Sequence, residues 1–204
     1  MSNLIEQIVR WALGIVSHFG YVGIFITMTL ESAAIPIPSE VVLPFGGFLA
    51  ANGEFSFWSV VFVATAANLI GSVILYYVGF WGGRPVLNKY GKFVFIHERE
   101  VVKLENWLRK YGTRVAFFSR LLPGVRTFAP FVIGMGEMKI FKFGAYTLAG
   151  SFIWNGVLTY VGFKAGANWD VLRPYFHKFD LVLAGLVVVG IVFLIYKHLN
   201  KEHA

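Results

Sequence analysis

Apolar residues form long uninterrupted runs along this chain, and their lengths predict membrane-spanning helices. The runs Phe55 to Gly83 and Phe143 to Phe163 contain no charged residue. Each meets the roughly 20 residues that a helix needs to cross a bilayer. A third, shorter run completes a span over about 179–197 if its flanking lysines extend to the interface. We therefore predict three spanning helices, the last of them C-terminal.

Two segments show the mixed apolar and polar pattern of amphipathic helices. They are Asn3 to Phe19 and His97 to Tyr111, and each collects its apolar residues on one side. Whether the first of them crosses the membrane or lies on its surface stays open. The residues on these apolar sides are Ile5, Ile8, Val9 and Ala12 in the first segment and Val101, Leu104 and Leu108 in the second.

An apolar stretch broken by prolines follows each amphipathic segment, at 20–52 and at 112–136. Proline removes a backbone donor and clashes with the preceding helical turn, so a straight span is unfavourable here. A re-entrant hairpin, which enters and leaves the bilayer on one side, accommodates such breaks if protein or a water-filled cavity satisfies the backbone. The residues predicted to shape the two hairpins are Pro36, Pro38, Pro44, Pro123, Gly124 and Pro130.

The chain contains an internal repeat. Asn68 to Gly83 aligns without gaps with Ser151 to Gly166 at an offset of 83, and seven of the sixteen positions are identical. With three residues gapped, the alignment continues upstream through the two proline-broken stretches. It then places Glu40 opposite Arg126, each four residues before a proline. Further upstream, Glu31 and Arg120 form a second, less well aligned acid/base couple. The two copies therefore carry opposite charges at equivalent positions.

These patterns predict an all-α integral membrane protein with one domain over 1–204. Each repeat consists of an amphipathic helix, a re-entrant hairpin and a transmembrane helix. A single crossing separates the two copies, which gives them opposite orientations, as in the inverted repeats of secondary transporters. The predicted boundaries are about 3–83 for repeat 1, 84–111 for the linker with its amphipathic helix, 97–166 for repeat 2 and about 179–197 for the C-terminal transmembrane helix.

Composition and charge agree with a membrane protein. Hydrophobic residues make up 57% of the chain and charged residues 14%, well below the quarter that soluble domains carry. Eight of the basic residues lie between Arg84 and Arg114. The positive-inside rule places this segment and the C-terminus in the cytoplasm. The net charge of +7 is thus explained by topology, without nucleic acid as a partner.

Nothing in the sequence indicates an enzyme. There is no cysteine, and the five histidines show no metal-ligand spacing. No combination of nucleophile, base and acid and no phosphate-binding glycine loop is present. We therefore expect neither a metal nor a cofactor.

Besides Arg114 near the start of the second stretch, four charged residues fall inside the proline-broken stretches. An ionisable group there costs about 2.5–3.5 kcal/mol on insertion scales. Arg120 and Arg126 flank a Pro-Gly turn, and two guanidinium groups there could bind one anion, with phosphate well suited to their planar forks. Glu31 and Glu40 could neutralise them in the empty site or take up a proton. In the alternative interpretation, the four residues form structural ion pairs that hold the hairpins together.

The motifs ESAAIPIPSE with LPFGG, and FFSRLLPGVRTFAPFVIGMGEMKIF, resemble the DedA family, also called the SNARE-associated Golgi protein or VTT-domain family. The resemblance covers about residues 20–166. It implies a multi-pass protein of the bacterial cytoplasmic (inner) membrane with two facing re-entrant hairpins. Bacterial members are linked to the return of polyprenyl phosphate carrier lipid, with dependence on the proton-motive force, and eukaryotic relatives scramble phospholipids.

The functional residues of the family are two acids in the first hairpin and two arginines in the second. They match Glu31, Glu40, Arg120 and Arg126. Many members have Pro-Gly-Asp where this chain has Pro38-Ser39-Glu40, so the role of Glu40 is the least secure.

The resulting hypothesis is a transporter for a lipid phosphate, undecaprenyl phosphate, with Arg120 and Arg126 binding the substrate and protons as a coupling partner. Three alternatives stay open. They are a proton- or cation-coupled transporter or antiporter of small solutes, a phospholipid scramblase, and a membrane-embedded structural or partner-binding protein. The direction of transport and the formation of homo-oligomers are also open.

Overall fold

A computed structural model describes residues 2–35, 37–90 and 98–166. This part of the chain is helical and contains no strand. The predicted C-terminal transmembrane helix and Pro36 lie outside the described residues. The helices are α1 (Ser2–Phe19), α2 (Tyr21–Ser32), α3 (Ser39–Ala51), α4 (Phe57–Tyr90), α5 (Glu98–Tyr111), α6 (Arg114–Phe118), α7 (Val125–Met135) and α8 (Ile140–Ala165), with a 3-10 turn at Ser119–Leu121 between α6 and α7.

The two amphipathic segments form α1 and α5, as the sequence predicts. In α1, Ala12 and Val16 are buried against α2 and α3, and in α5, Val101 and Leu104 are buried. In both helices the apolar side packs on the rest of the protein. Their position relative to the membrane stays a prediction.

The two long helices differ in how apolar they are. Among the described residues, Phe57–Val86 of α4 is the one helix long and apolar enough to span a membrane. Its regular conformation is interrupted at Gly83, which has φ 51° and ψ −149°. With 26 residues, α8 is long enough, but buried polar residues every fourth position lower its hydropathy, so its predicted crossing stays a prediction. These residues are Thr147, Ser151, Asn155 and Thr159.

Each proline-broken stretch folds into two short helices joined by a turn. The first hairpin consists of α2 and α3, and the second of α6, the 3-10 turn and α7. The first turn contains Ala34 and the second contains Gly124, and these two residues have positive φ values of 69° and 76°. Pro44 and Pro130, predicted to shape the hairpins, lie inside α3 and α7 and so do not form the turns.

Close backbone contacts join each long helix to the second helix of one hairpin. A Cβ added at Gly79 of α4 would lie 2.0 Å from the carbonyl oxygen of Phe131 in α7. A Cβ added at Gly162 of α8 would lie 1.8 Å from the carbonyl oxygen of Pro44 in α3. Gly79 and Gly162 are equivalent at the offset of 83. The first long helix therefore packs on α7 of the second hairpin as well as on α2 of the first, and the second long helix packs on α3 of the first hairpin as well as on α6 of the second.

The apolar core has two parts, one around each hairpin. One contains Met28 and Leu43 of the first hairpin, and the other contains Phe128 and Val132 of the second. The tip of each hairpin reaches into the part of the core that surrounds the other hairpin. Ala34 of the first hairpin lies in the core of the second. In the same way, Leu121 of the second hairpin packs against the core of the first.

The outer surfaces of the long helices are apolar. The exposed side chains include Trp58, Phe62, Ile70, Ile74, Phe152, Ile153 and Tyr160. An exposed apolar surface of this extent marks a site that contacts a partner or lipid. On two long helices it fits a surface in contact with lipid.

Candidate functional site

Arg126 lies in the first turn of α7, where the two hairpins meet. Its Nη2 atom is 2.9 Å from Oε1 of Glu31 and 2.5 Å from Oε1 of Glu40. The same nitrogen donates to the hydroxyl of Ser39. We call these residues, together with Arg120, the charge cluster. All three partners of Arg126 come from the first hairpin, so these ion pairs join the two hairpins.

The contacts of Arg126 are concentrated on one nitrogen. An Nη nitrogen carries two hydrogens, whereas Nη2 has three acceptors around it. The acceptors therefore compete, and at most two can be fully bonded at once. The Ser39 hydroxyl also donates to Oε2 of Glu40 at 3.4 Å. One carboxylate can thus be released from Arg126 without leaving the arginine unpaired.

Arg120 has a different environment, although it lies only six residues away. Its Nη1 donates to the backbone carbonyl oxygen of Arg126 at 3.2 Å. No ion pair to Arg120 is found in the described part of the chain. The sequence alignment couples Glu31 with Arg120, but the nearest guanidinium partner of Glu31 is Arg126. The two arginines are close together, and only one of them is paired with carboxylates.

The charge cluster is buried, with one partial exception. Arg126 and Glu31 have side chains 6% and 3% exposed, whereas the Glu40 side chain is 16% exposed. Arg120 is 3% exposed as a residue. Two arginines and two ionised glutamates sum to zero charge. Of these four groups, the Glu40 carboxylate is the most accessible from outside the cluster.

The charge cluster has more donors than acceptors. Four buried guanidinium nitrogens have no hydrogen-bond partner among the described residues: Nε and Nη2 of Arg120, and Nε and Nη1 of Arg126. A buried donor without an acceptor costs about 1–3 kcal/mol, and more when it is charged. A cation could not satisfy these groups, because they only donate. An anion with several oxygens, such as a phosphate, would satisfy them.

Helix α8 forms a wall of the site that the sequence patterns did not reveal. The Trp154 ring centre lies 4.7 Å from Cζ of Arg126. One turn earlier, a Cβ added at Gly150 would lie 2.7 Å from Cβ of Arg120. Ser39, known from the sequence only as a departure from the family pattern, also enters the site. The four-residue spacing of polar residues in α8 could have indicated which side of that helix faces inward.

Polar side chains also connect the two long helices near the charge cluster. Asn68 of α4 donates to Oδ1 of Asn155 in α8 at 3.4 Å, and Asn155 donates to Oγ1 of Thr65 at 3.1 Å. All three residues are buried. These bonds fix how α8 sits against α4 and so help to position its wall of the site.

No group of three metal-ligating residues occurs in the ranges that the structure describes. The fold and the site thus define an α-helical protein with a long apolar helix and a buried, donor-rich charge cluster between two hairpins. Residues 37–164 match the model of the VTT domain. The chain belongs to the VTT-domain family, which includes DedA, as its motifs suggested.

The chain is similar to proteins with three kinds of name. It is 31% identical over 199 residues to undecaprenyl phosphate transporter A of Bacillus subtilis, covering 97% of this chain and 96% of the relative. It is 32% identical over 198 residues to the uncharacterized membrane protein YkoX of the same organism, covering 97% and 87%. It is 31% identical over 186 residues to an alkaline phosphatase-like protein of Lactococcus lactis subsp. lactis, covering 89% and 86%. No solved structure matches the chain.

Proposed function

We propose that this protein transports a lipid phosphate, undecaprenyl phosphate, across the bacterial cytoplasmic membrane. The observation that carries the proposal is the surplus of buried donors on Arg120 and Arg126. Guanidinium groups bind phosphate oxygens in pairs of parallel, charge-assisted hydrogen bonds. The name of the B. subtilis relative supports this substrate, and so does that of a Staphylococcus aureus relative, also undecaprenyl phosphate transporter A, at 26% identity over 191 residues.

Charge balance in the cluster supports proton coupling as part of the proposal. The empty cluster is neutral, so a phosphate adds negative charge that desolvation makes costly. We propose that the phosphate displaces Glu40 from Arg126 and that Glu40 then takes up a proton. Glu40 is suited to this step because it is the more exposed of the two carboxylates. Ser39 holds the displaced carboxylate close through its hydroxyl.

We propose an inverted repeat with re-entrant hairpins as the architecture that carries the head group. The reciprocal contacts of Gly79 and Gly162 support it, because equivalent glycines meet the second helices of opposite hairpins. The tips of the hairpins, each of which reaches into the core around the other hairpin, provide a second line of support. The head group would move between the hairpins, while the prenyl chain stays against the exposed apolar surface.

Cysteine labelling tests this topology in a chain without native cysteine. A cysteine at Lys103, exposed on α5, should react with an impermeant reagent only from the cytoplasmic side. A cysteine at Asn168 should react only from the outside. Labelling of both positions from one side would contradict the inverted repeat and leave the anion site unaffected.

Transport is tested with purified protein in liposomes and a labelled polyprenyl phosphate. We expect uptake that depends on a proton gradient and is lost in Arg126→Gln. The matching polyprenyl alcohol should not be moved, because it lacks the anionic oxygens. Movement of phosphatidylglycerol at an equal rate would instead indicate a scramblase. Movement of a small anion without the lipid would support the small-solute alternative.

The name of the L. lactis relative makes phosphate release a necessary control. We expect no inorganic phosphate to appear when the polyprenyl phosphate is incubated with the protein. Release at a rate comparable to uptake would replace the transporter proposal with an enzymatic one.

A further inference from the structure

Trp154 is the aromatic residue of α8 that lies under the charge cluster. It is 4% exposed, and its ring centre is 4.7 Å from Cζ of Arg126. Its indole Nε1 has no hydrogen-bond partner in the part of the chain that the structure describes. A buried tryptophan usually bonds its N–H. The indole N–H of Trp154 is therefore an unpartnered donor, in addition to the four unpartnered guanidinium nitrogens.

The ring of Trp154 restricts how a ligand can approach Arg126. It covers one face of the guanidinium, which is the geometry of a cation–π contact. The glutamates take up Nη2. Nε and Nη1 of Arg126 are unpartnered and lie on either side of Nη2, so each shares one edge of the guanidinium with it. The ring thus packs against the guanidinium and leaves Nε and Nη1 for a ligand, which reaches a paired edge of Arg126 by displacing a glutamate from Nη2.

Helix α8 aligns the two arginines through neighbouring turns of one face. Gly150 lies four residues before Trp154, which places both residues on the same side of the helix. An added Cβ at Gly150 would meet Arg120 at 2.7 Å and the carbonyl oxygen of Phe117 at 2.9 Å. Arg120 therefore packs on α8 at one turn, and Arg126 packs on it at the next.

We propose that Trp154 belongs to the anion site: its ring positions Arg126, and its indole N–H donates to an oxygen of the bound phosphate. The inference rests on the proposed function and deepens it, because it adds to the anion site a residue from outside both hairpins. The molecule bound there would be a phosphate monoester, an anion whose oxygens accept hydrogen bonds. With Trp154, the site offers five unpaired donor nitrogens from three segments of the fold.

The test is the affinity of purified protein for farnesyl phosphate, measured by titration calorimetry, with farnesol as the uncharged reference. Trp154→Phe keeps an aromatic face and removes the N–H. We expect its affinity for farnesyl phosphate to fall about 10-fold or more, as for one lost hydrogen bond to a charged group. Its thermal stability should stay unchanged or rise, because an unpaired buried donor is gone. Trp154→Leu, which also loses the ring, should weaken binding further.

Tyr76→Phe is the matched control. It also removes one polar atom from a buried aromatic, but Tyr76 donates to the carbonyl oxygen of Met138 at 2.5 Å in the core of the second hairpin. It should lower stability and leave affinity for farnesyl phosphate unchanged. Trp154→His returns a ring N–H and should recover part of the affinity, which keeps the test decisive if Trp154→Phe folds poorly.

The outcomes separate this inference from the proposed function. Wild-type affinity in Trp154→Phe, together with loss of binding in Arg126→Gln, would overturn the role of Trp154 and keep the anion site. Loss of both affinity and stability in Trp154→Phe, without recovery in Trp154→His, would assign Trp154 to core packing alone. Absence of farnesyl phosphate binding to the wild-type protein would overturn both proposals.

Discussion

The first hairpin brings carboxylates to the charge cluster, whereas the second brings guanidinium groups. Both hairpins consist of two short helices joined at a turn with a positive φ. Their charges meet at Arg126, where Glu31 and Glu40 share one nitrogen. The similar scaffolds hold opposite chemistry, so the contact between the hairpins is also the centre of the candidate site.

The second hairpin contains a further contrast, between its two arginines. Arg126 has two carboxylate partners, a hydroxyl and an aromatic face. Arg120 has one backbone acceptor and two unpartnered nitrogens. The contrast suggests different roles: Arg126 joins the hairpins and exchanges partners, while Arg120 mainly binds the anion. The predictions below test these contrasts.

The largest effect is expected for Arg126→Gln, which removes the ion-pair partner of both Glu31 and Glu40. Loss of one member of a buried ion pair costs roughly 3–5 kcal/mol. We expect a large fall in thermal stability in detergent and no measurable lipid transport in liposomes. Because Glu31 also pairs with Arg126, the double mutant with Glu40→Gln should recover stability only partly.

Removing both acids as well should extend the recovery. The triple mutant Glu31→Gln, Glu40→Gln, Arg126→Gln carries no unpaired carboxylate in the cluster, so its stability should exceed that of the single and double mutants, while the charge of buried Arg120 keeps it below the wild type. Transport should stay absent. Transport that returned together with stability would show that these three charges are structural, and the substrate site would have to lie elsewhere.

The second prediction concerns Arg120→Gln, which should separate activity from stability. Arg120 has no ion pair among the described residues, so its removal breaks no ion pair and relieves its own desolvation, but it leaves the cluster with one negative charge in excess. Because these effects oppose each other, we expect a much smaller loss of thermal stability than in Arg126→Gln. Transport should fall about 100-fold, as for two lost hydrogen bonds to a charged group at about 1.5 kcal/mol each.

Arg120→Lys keeps the charge but loses the planar fork, and it is the matching variant. It should restore only a small part of the transport rate if phosphate is bound by paired hydrogen bonds. A stability loss in Arg120→Gln as large as that in Arg126→Gln would remove the distinction between the two arginines.

The sequence alone predicted the helical class, the amphipathic helices, the hairpins and the four charged residues. These features follow from local patterns, because apolar runs, prolines and isolated charges are visible without tertiary contacts. The sequence did not predict which arginine forms an ion pair with Glu31. The alignment coupled Glu31 with Arg120, but the fold brings Glu31 to Arg126. Trp154 could not be distinguished from a lipid-facing aromatic, because its role depends on which side of α8 faces the hairpins.

The third prediction tests whether the two halves are equivalent in their packing. Gly79→Ala and Gly162→Ala would each force a Cβ against a backbone carbonyl at about 2 Å. Overpacking of this kind typically costs about 1–3 kcal/mol, so thermal stability should fall by similar amounts in both variants. Gly156→Ala is the control, because a Cβ there meets nothing within 4 Å. It should be neutral or stabilising, since alanine favours a helix over glycine.

The smallest effect is expected at the two turns, where the hairpins use different residues at a positive φ. Ala34 has φ 69° and Gly124 has φ 76°. A side chain in this region costs about 1–2 kcal/mol. No atom lies within 4 Å of a Cβ added at Gly124, so Gly124→Ala should lower stability through the backbone alone, by about 1 kcal/mol. Ala34→Gly relieves the same strain, but it loses a buried methyl group and adds chain entropy to the unfolded state.

Because these terms oppose each other, Ala34→Gly should change stability by less than Gly124→Ala does, which thermal unfolding of both variants in detergent would measure. Transport should change little in either variant, since neither residue contributes a polar side-chain atom to the charge cluster. A large loss of transport in Ala34→Gly with unchanged stability would mean that the rigidity of the first turn matters for transport. The first hairpin would then be the moving part, and the second hairpin would be the fixed anion site.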